Sequence, residues 1–308
     1  MSQTNIAWGA HLPHLGRGVS AKTLAAFAQR LEQLGCASGW VSDHICWPAN
    51  IESSYPYTDD GSFAPASDMA WLDPIGTLTY VAGVTSTLRL GTTVLILPYR
   101  APVLSAKQIA TLDVLSEGRV ILGVGIGWMA EEARILGMPW DQRGKRSDEQ
   151  LALYEQLFTA ARPHFEGEYY HLPEVGFEPK PVQQPLPIWV GGSSDAAFRR
   201  AARFGHGFHA AFQPLEIVVD EFDKVRQHAQ KLHRDPSELE LSLRIFLDPA
   251  GAMGPEKAIA GSHQQMADRV GELANAGVTH VVLDPVARGG IDARSDAIAD
   301  FMENVAHR

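Results

Sequence analysis

The chain has 308 residues, of which 45% are hydrophobic, and its formal net charge is -10. This length and apolar content suffice for one large domain or two smaller ones. An acidic chain without lysine or arginine runs argues against a nucleic-acid partner and against an anionic membrane surface. No apolar run reaches the ~18 residues of a membrane helix, and the first residues lack the pattern of a signal peptide. Cys36 and Cys46 have no metal-ligand spacing with histidine and fit a reducing compartment. We therefore expect a soluble, cytoplasmic protein without a metal site.

Short apolar runs alternate with segments of helical periodicity along almost the whole chain. The apolar runs predict strands at 5–10, 39–41, 90–97, 120–124, 188–190, 208–211, 239–246 and 278–283. The periodic segments predict helices at 24–34, 73–85, 106–115, 128–136, 145–159, 195–204, 215–232, 266–276 and 295–305. About eight strands, each followed by a helix, predict a (β/α)₈ TIM barrel that occupies residues 1–308 as a single domain. The alternative, a doubly wound open sheet, would need a break between two halves, and the pattern shows none.

Two segments interrupt the alternation, and both are expected to be insertions at the C-terminal face of the barrel. Residues 45–72 have no periodicity and contain prolines and several aromatic residues. An irregular segment of that length inside a compact domain is usually functional, so we interpret it as a cover over a site. Residues 162–187 contain glycines and prolines with alternating aromatic and apolar residues, which predicts a hairpin.

The candidate site residues follow predicted strands, because the active sites of such barrels lie at the carboxyl ends of the strands. Asp43 and His44 follow the second strand, and histidine can exchange protons near neutral pH. His11, His209 and Arg244 also lie at or near strand ends, although each alone is weak evidence.

Two glycine-containing turns are candidate cofactor sites. Residues 125–130 match the G-x-G-x-x-A dinucleotide fingerprint, but their position within a regular strand–helix series favours glycines at the end of a barrel strand. Gly191, Gly192 and Ser193 join a strand to a helix, where free backbone N–H groups bind anions such as phosphate. The alternative at this second turn is an ordinary helix cap.

Four segments together carry a family likeness. Residues 42–44 (SDH), 88–98, 107–128 and 179–208 resemble the bacterial luciferase-like flavin-dependent oxidoreductases, and most of all the branch that uses the deazaflavin F420. The resemblance covers most of the chain up to about residue 212. It implies a (β/α)₈ barrel with the flavin across its C-terminal mouth, which agrees with the strand count.

The resemblance also implies roles for individual residues. It places Asp43 and His44 beside the reactive part of the flavin ring, with His44 exchanging the proton and Asp43 orienting it. It implies a non-proline cis peptide between Thr93 and Val94. The cofactor-binding residues that it implies are Thr93, Val94, Gly125, Ile126, Gly127, Gly191, Gly192 and Ser193. His11, at the end of the first strand, is also expected to bind the cofactor. The expected substrate pocket consists of Trp47, Trp71, Trp128, His209 and Arg244.

The expected activity is hydride transfer between F420 and a small organic substrate held under residues 45–72. Members of the family that oxidise glucose 6-phosphate carry a glutamate where this chain has Trp128, so an apolar or aromatic substrate is expected instead. One alternative is a monooxygenase that uses reduced FMN and O₂. A second is a catalytically silent flavin carrier. A separate F420 or flavin reductase and a homodimer are expected by the same resemblance.

Overall fold

The computed structural model describes residues 6–58, 60–63, 65–66 and 68–306. Eight parallel strands form its centre. They are β1 (Ala7–His11), β2 (Ser38–Val41), β3 (Arg89–Thr92), β4 (Val120–Gly125), β5 (Ile188–Val190), β6 (Gly207–Ala211), β7 (Glu240–Asp248) and β8 (His280–Pro285). Each strand pairs with the next one along the chain, and β8 pairs with β1. The sheet is therefore a closed barrel, and the predicted (β/α)₈ fold is confirmed.

Helices surround this barrel. They are α1 (Ala21–Gln33), α2 (Pro74–Ala82), α3 (Pro102–Leu115), α4 (Ala130–Ile135), α5 (Arg143–Thr159), α6 (Asp195–Phe204), α7 (Leu215–Lys231), α8 (His263–Asn275) and α9 (Gly290–Asn304). Their starts follow local sequence signals. The Asp73 carboxylate accepts a hydrogen bond from the Gly76 N–H at 2.8 Å, and Pro74 occupies the first turn of α2. In the described part of the chain, no helix combines the length and apolar character needed to cross a membrane.

The third strand differs from its prediction. Residues 90–97 were expected to form one continuous strand, but β3 ends at Thr92 and the chain resumes pairing at Leu95–Ile96, beside β4. The Thr93–Val94 peptide between them is cis, as the resemblance implied. The short strand Ala258–Ala260, which extends the sheet at β7, was not predicted.

The two segments that were expected to be insertions differ in form. Phe165–Glu166 pairs with His171–Leu172 in an antiparallel hairpin. The described part of 45–72 contains no helix or named strand and is joined to the barrel by an isolated bridge between Leu15 and Trp71.

The barrel interior is filled by stacked rings. Trp40 stacks on Trp189 at a centroid distance of 5.3 Å and on His209 at 5.2 Å. A Cβ atom at Gly91 would lie 2.3 Å from Trp40 Cδ2, so the glycine leaves room for the indole. Trp40 Nε1 donates to Ser38 Oγ at 2.7 Å, and His280 Nε2 lies 2.7 Å from the same oxygen. Burial lowers the pKa of His209 and of His280 to about 3, which keeps both rings neutral.

These buried histidines should make the protein sensitive to acid. Burial also lowers the pKa of His14 to about 4. Below about pH 6.5 the unfolded chain protonates His14, His209 and His280, whereas the folded protein does not, so the unfolding free energy falls with pH. Between pH 6 and pH 4.5, each of these histidines should lower the unfolding free energy by about 1.4 kcal/mol for every unit that the pH falls.

Urea unfolding at a series of pH values measures this loss. The variant His280→Gln should reduce the slope by roughly one histidine's share, about 1.4 kcal/mol per pH unit. The matched variant of the exposed His171, His171→Gln, should leave it unchanged. An unaltered slope in His280→Gln would contradict this account of the barrel interior.

Candidate active site

A cleft of about 700 Å³ lies at the carboxyl ends of the strands. Fifteen of the sixteen residues predicted from the sequence line it. These are His11, Asp43, His44, Trp71, Thr93, Val94, Gly125, Ile126, Gly127, Trp128, Gly191, Gly192, Ser193, His209 and Arg244. The exception is Trp47, which lines a smaller neighbouring cavity. Its ring packs edge-on against Trp71 at a centroid distance of 5.5 Å, so the prediction that Trp47 lines the substrate pocket is wrong.

His44 is held by a carboxylate that the sequence analysis did not identify. The His44 side chain is 6% exposed, and its Nδ1 lies 2.6 Å from Oε2 of Glu132, a fully buried residue of α4. The other oxygen of Glu132 accepts hydrogen bonds from the backbone N–H groups of Ile45 at 2.6 Å and Cys46 at 3.0 Å. Glu132 therefore fixes the imidazole and the start of the 45–72 segment together.

Asp43 has a different partner from the one expected. Its carboxylate accepts two hydrogen bonds from Arg100, at 2.6 and 2.9 Å, and one from the Ile96 N–H at 2.9 Å. Burial raises the pKa of Asp43, and the Arg100 guanidinium opposes that shift. The expectation that Asp43 orients the His44 ring is therefore wrong. Asp43 instead joins the end of β2 to the segment that follows β3.

The floor of the cleft is the Thr93–Val94 peptide. His209 Nε2 lies 2.9 Å from Thr93 Oγ1, and Nδ1 of the same ring lies 2.9 Å from Ser242 Oγ. Both nitrogens of His209 therefore have protein partners, and the ring supports the floor. Gly125 leaves space for Val94, because a Cβ atom at that position would lie 2.5 Å from Val94 Cγ2.

One side of the cleft carries hydrogen-bond donors of the kind that bind anions. Residues 191–194 lead into the N-terminus of α6, where Ser194 Oγ accepts a hydrogen bond from the Ala197 N–H at 3.2 Å. Arg200 is buried beside them, held through Nε by Asp148 at 2.5 Å. Arg143 also lines the cleft, and its buried Nε has no hydrogen-bond partner among the described residues. Helix N–H groups and two guanidiniums provide the donors that a phosphate group requires.

Aromatic rings surround His44 on its cleft side. The ring centroids of Trp71, Phe63 and Trp128 lie 4.9, 5.2 and 5.9 Å from that of His44. Tyr55 packs against Trp128 at 5.0 Å. Phe63 and Tyr55 come from the 45–72 segment, so this part of the cleft is apolar and is covered as the sequence analysis expected.

The side of the cleft that includes His11 and Arg244 is polar. His11 is 2% exposed, and neither of its ring nitrogens has a hydrogen-bond partner in the described part of the chain. Burial and the nearby Arg244 guanidinium hold the pKa of His11 well below its usual range. Arg244 donates to Asp284, and its Nη1 lies 3.4 Å from the Thr93 carbonyl oxygen.

Comparison with known proteins identifies the family. The family model of the luciferase-like monooxygenases matches residues 6–250. The chain belongs to this family. An uncharacterised protein of Mycobacterium tuberculosis is 36% identical over 206 residues, 66% of this chain and 71% of that protein. The F420-dependent glucose-6-phosphate dehydrogenase of Amycolatopsis mediterranei is 30% identical over 232 residues, 73% of this chain and 65% of that enzyme.

Solved structures of luciferase-like enzymes have the same fold. An F420-dependent secondary alcohol dehydrogenase, in complex with an F420–acetone adduct, superposes with a TM-score of 0.79 at 18% identity, covering 97% of this chain and 98% of that chain. A riboflavin lyase with modified FMN superposes with a TM-score of 0.77 at 18% identity, covering 97% and 90%. The fold agrees with the family assignment and places the cleft at the expected end of the barrel.

The contact between Gly125 and Val94 can be tested directly. Gly125→Ala should displace the Val94 side chain and lower the unfolding free energy by about 1–3 kcal/mol, the usual effect of an added group in a packed site. Gly271→Ala is the matched control, because a Cβ atom at this helical glycine meets nothing within 4 Å. Urea unfolding of both variants provides the measurement, and equal stability of the two would contradict the packing described here.

Proposed function

We propose that this protein is an F420-dependent oxidoreductase that transfers a hydride between C5 of the deazaflavin and a small organic substrate. The observation that carries the proposal is the buried His44–Glu132 pair, whose histidine lines the cleft. A carrier protein needs no proton-exchanging group at the ring, so this pair favours an enzyme over a silent carrier. The similarity to F420-dependent enzymes supports the deazaflavin as the cofactor.

The residues of the cleft fit such a cofactor. The Thr93–Val94 floor and the Gly125–Gly127 turn, both of which line the cleft, would hold the flavin ring. The α6 N-terminus with Arg143 and Arg200 would hold the phosphate. The cofactor supplies the hydride chemistry, and the protein supplies position and charge.

His44 would provide the matching proton. Its Nδ1 is occupied by Glu132, so Nε2 is the ring nitrogen that remains for the substrate. The buried carboxylate of Glu132 accepts the hydrogen bond from Nδ1 and so fixes the orientation of the ring. In the reducing direction F420 would supply the hydride, and His44 would donate the matching proton from Nε2 to the substrate. In the oxidising direction His44 would accept that proton.

The aromatic side of the cleft limits the substrate. Trp128 stands where sugar-phosphate dehydrogenases of the family carry a glutamate, and an indole cannot exchange a proton with a sugar hydroxyl. Its neighbours Phe63 and Tyr55 are also aromatic. We therefore infer a substrate with an apolar or aromatic body, in place of glucose 6-phosphate.

An anaerobic assay tests this function. Reduced F420 is mixed with the protein and a panel of carbonyl and unsaturated acceptors, and the return of oxidised deazaflavin absorbance is followed. Turnover without O₂ supports the proposal. Turnover that needs O₂ and reduced FMN would contradict it and indicate a two-component monooxygenase.

The role of His44 can be separated from cofactor binding. His44→Ala should lower turnover by about 10²–10⁴-fold, the usual contribution of a general acid or base, with little change in cofactor affinity. His171→Ala, at an exposed position in the hairpin, is the control and should change neither quantity. Equal losses of turnover and affinity in His44→Ala would contradict proton transfer by this residue.

Glu132 is a positioning residue in this account, and separate measurement of kcat and of cofactor affinity tests it. Glu132→Gln keeps an acceptor for the Ile45 and Cys46 N–H groups but removes the charged partner of the His44 ring. Because a neutral hydrogen bond replaces a charge-assisted one, kcat should fall by about tenfold with little change in cofactor affinity. The exposed α5 variant Glu155→Gln should retain the original kcat. An unchanged kcat in Glu132→Gln would show that the contact is merely structural.

A further inference from the structure

The cleft has positively charged groups on two opposite sides. Arg143 is the first residue of α5, and Arg200 lies on α6, the helix that follows β5. On the other side, Arg244 lies on β7 and Arg294 on α9, with His11 at the end of β1. Three strands separate β1 from β5 in either direction around the barrel, so the two groups face each other across the mouth. A cofactor phosphate accounts for the first group and leaves the second without a ligand.

The charges of this second group do not cancel. Among the described residues, the ion pairs of Arg244 and Arg294 are both with Asp284. Arg244 Nη2 donates to one carboxylate oxygen, and Arg294 Nη2 lies 3.6 Å from the other. One carboxylate between two guanidiniums leaves a formal charge of about one positive unit, because His11 is held neutral.

The same residues have hydrogen-bond donors without acceptors. The Nε atoms of Arg244 and Arg294 are buried and have no partner among the described residues. Both ring nitrogens of His11 are also buried and have no partner among the described residues, and one of them carries a proton in the neutral ring. Buried donors are nearly always satisfied, and all three side chains line the cleft. A ligand with acceptor oxygens would satisfy them.

We propose, building on the function proposed above, that the substrate carries a carboxylate and that His11, Arg244 and Arg294 bind it. A carboxylate is a monoanion and matches the net charge of this group, whereas a phosphate dianion would exceed it. Its two coplanar oxygens also match the geometry of a guanidinium. The substrate class is therefore an apolar or aromatic carboxylic acid, with its body against Trp71 and Trp128 and its acid group on the β1–β8 side.

A binding experiment on the full chain loaded with F420 tests the proposal. Pairs of an acid and its primary amide, cinnamate with cinnamamide and octanoate with octanamide, are titrated and followed by tryptophan fluorescence. At least one acid should bind about tenfold more tightly than its amide, the usual effect of a charge-assisted hydrogen bond. Equal binding within both pairs, or no binding by any member, overturns the proposal.

Variants of Arg294 and of the nearby Arg288 show whether the preference for the acid depends on the proposed site. Arg294→Gln should abolish the preference for the acid, and Arg294→Lys should keep part of it because the charge remains. The control is Arg288→Gln, since Arg288 is exposed and does not line the cleft. Circular dichroism confirms that each variant is folded. A preference that survives in Arg294→Gln overturns the proposal.

A second source of carboxylates is the acidic tail of F420 itself. Titration with F420 and with its riboside, which lacks the phosphate and the tail, separates binding of the substrate carboxylate from binding of the cofactor tail. If Arg294→Gln weakens only F420 and leaves the acids unaffected, the site serves the cofactor and the proposal is overturned. If F420 does not bind but the acid preference persists in the unloaded protein, the proposed function fails and the carboxylate site stands.

Discussion

The buried carboxylate of Glu132 is the group on which the site depends. It lies on α4, just beyond the glycine turn that closes β4, and it accepts hydrogen bonds from the His44 ring and from the two backbone amides that follow. One side chain therefore fixes a barrel strand end, the histidine and the start of the cover. Because the carboxylate is fully buried, losing its partners would leave it without compensation, which makes the arrangement rigid. Arg100 acts in a parallel way on Asp43, so the two neighbouring polar residues after β2 belong to separate networks.

The sequence predicted the barrel because the spacing of apolar residues and the identity of turn residues can be recognised within short segments of the chain. Strand ends converge in this fold, and His44, Gly125 and Gly191 were therefore identified before their contacts were known. Glu132 and Arg100 were missed because their partners lie 88 and 57 residues away, and helical or loop positions carry no such signal. Trp47 was misplaced for a related reason. The sequence places it near His44, but its direction depends on packing against Trp71.

The proposed carboxylate site adds a polar end to the apolar substrate that the sequence analysis expected. The tryptophans are conspicuous in the sequence and indicate an apolar body. Arg294 lies outside the helix predicted at 295–305 and was not identified from the sequence, yet the fold brings it to Asp284 beside Arg244. An amphipathic acid uses both features, and it gives His44 a substrate held at two points. Holding a substrate at two points fixes its orientation relative to the hydride-carrying atom, which is a large part of what an enzyme of this kind contributes.

The central claim is that this barrel uses a deazaflavin, and an equilibrium titration tests it most directly. The apo-protein is titrated with oxidised F420 and, separately, with FMN, and fluorescence is followed. The account predicts micromolar or tighter binding of F420 and much weaker binding of FMN. Preference for FMN would contradict the deazaflavin assignment while leaving the barrel and its phosphate site intact. Binding of neither would contradict the assignment of the cleft as a flavin site.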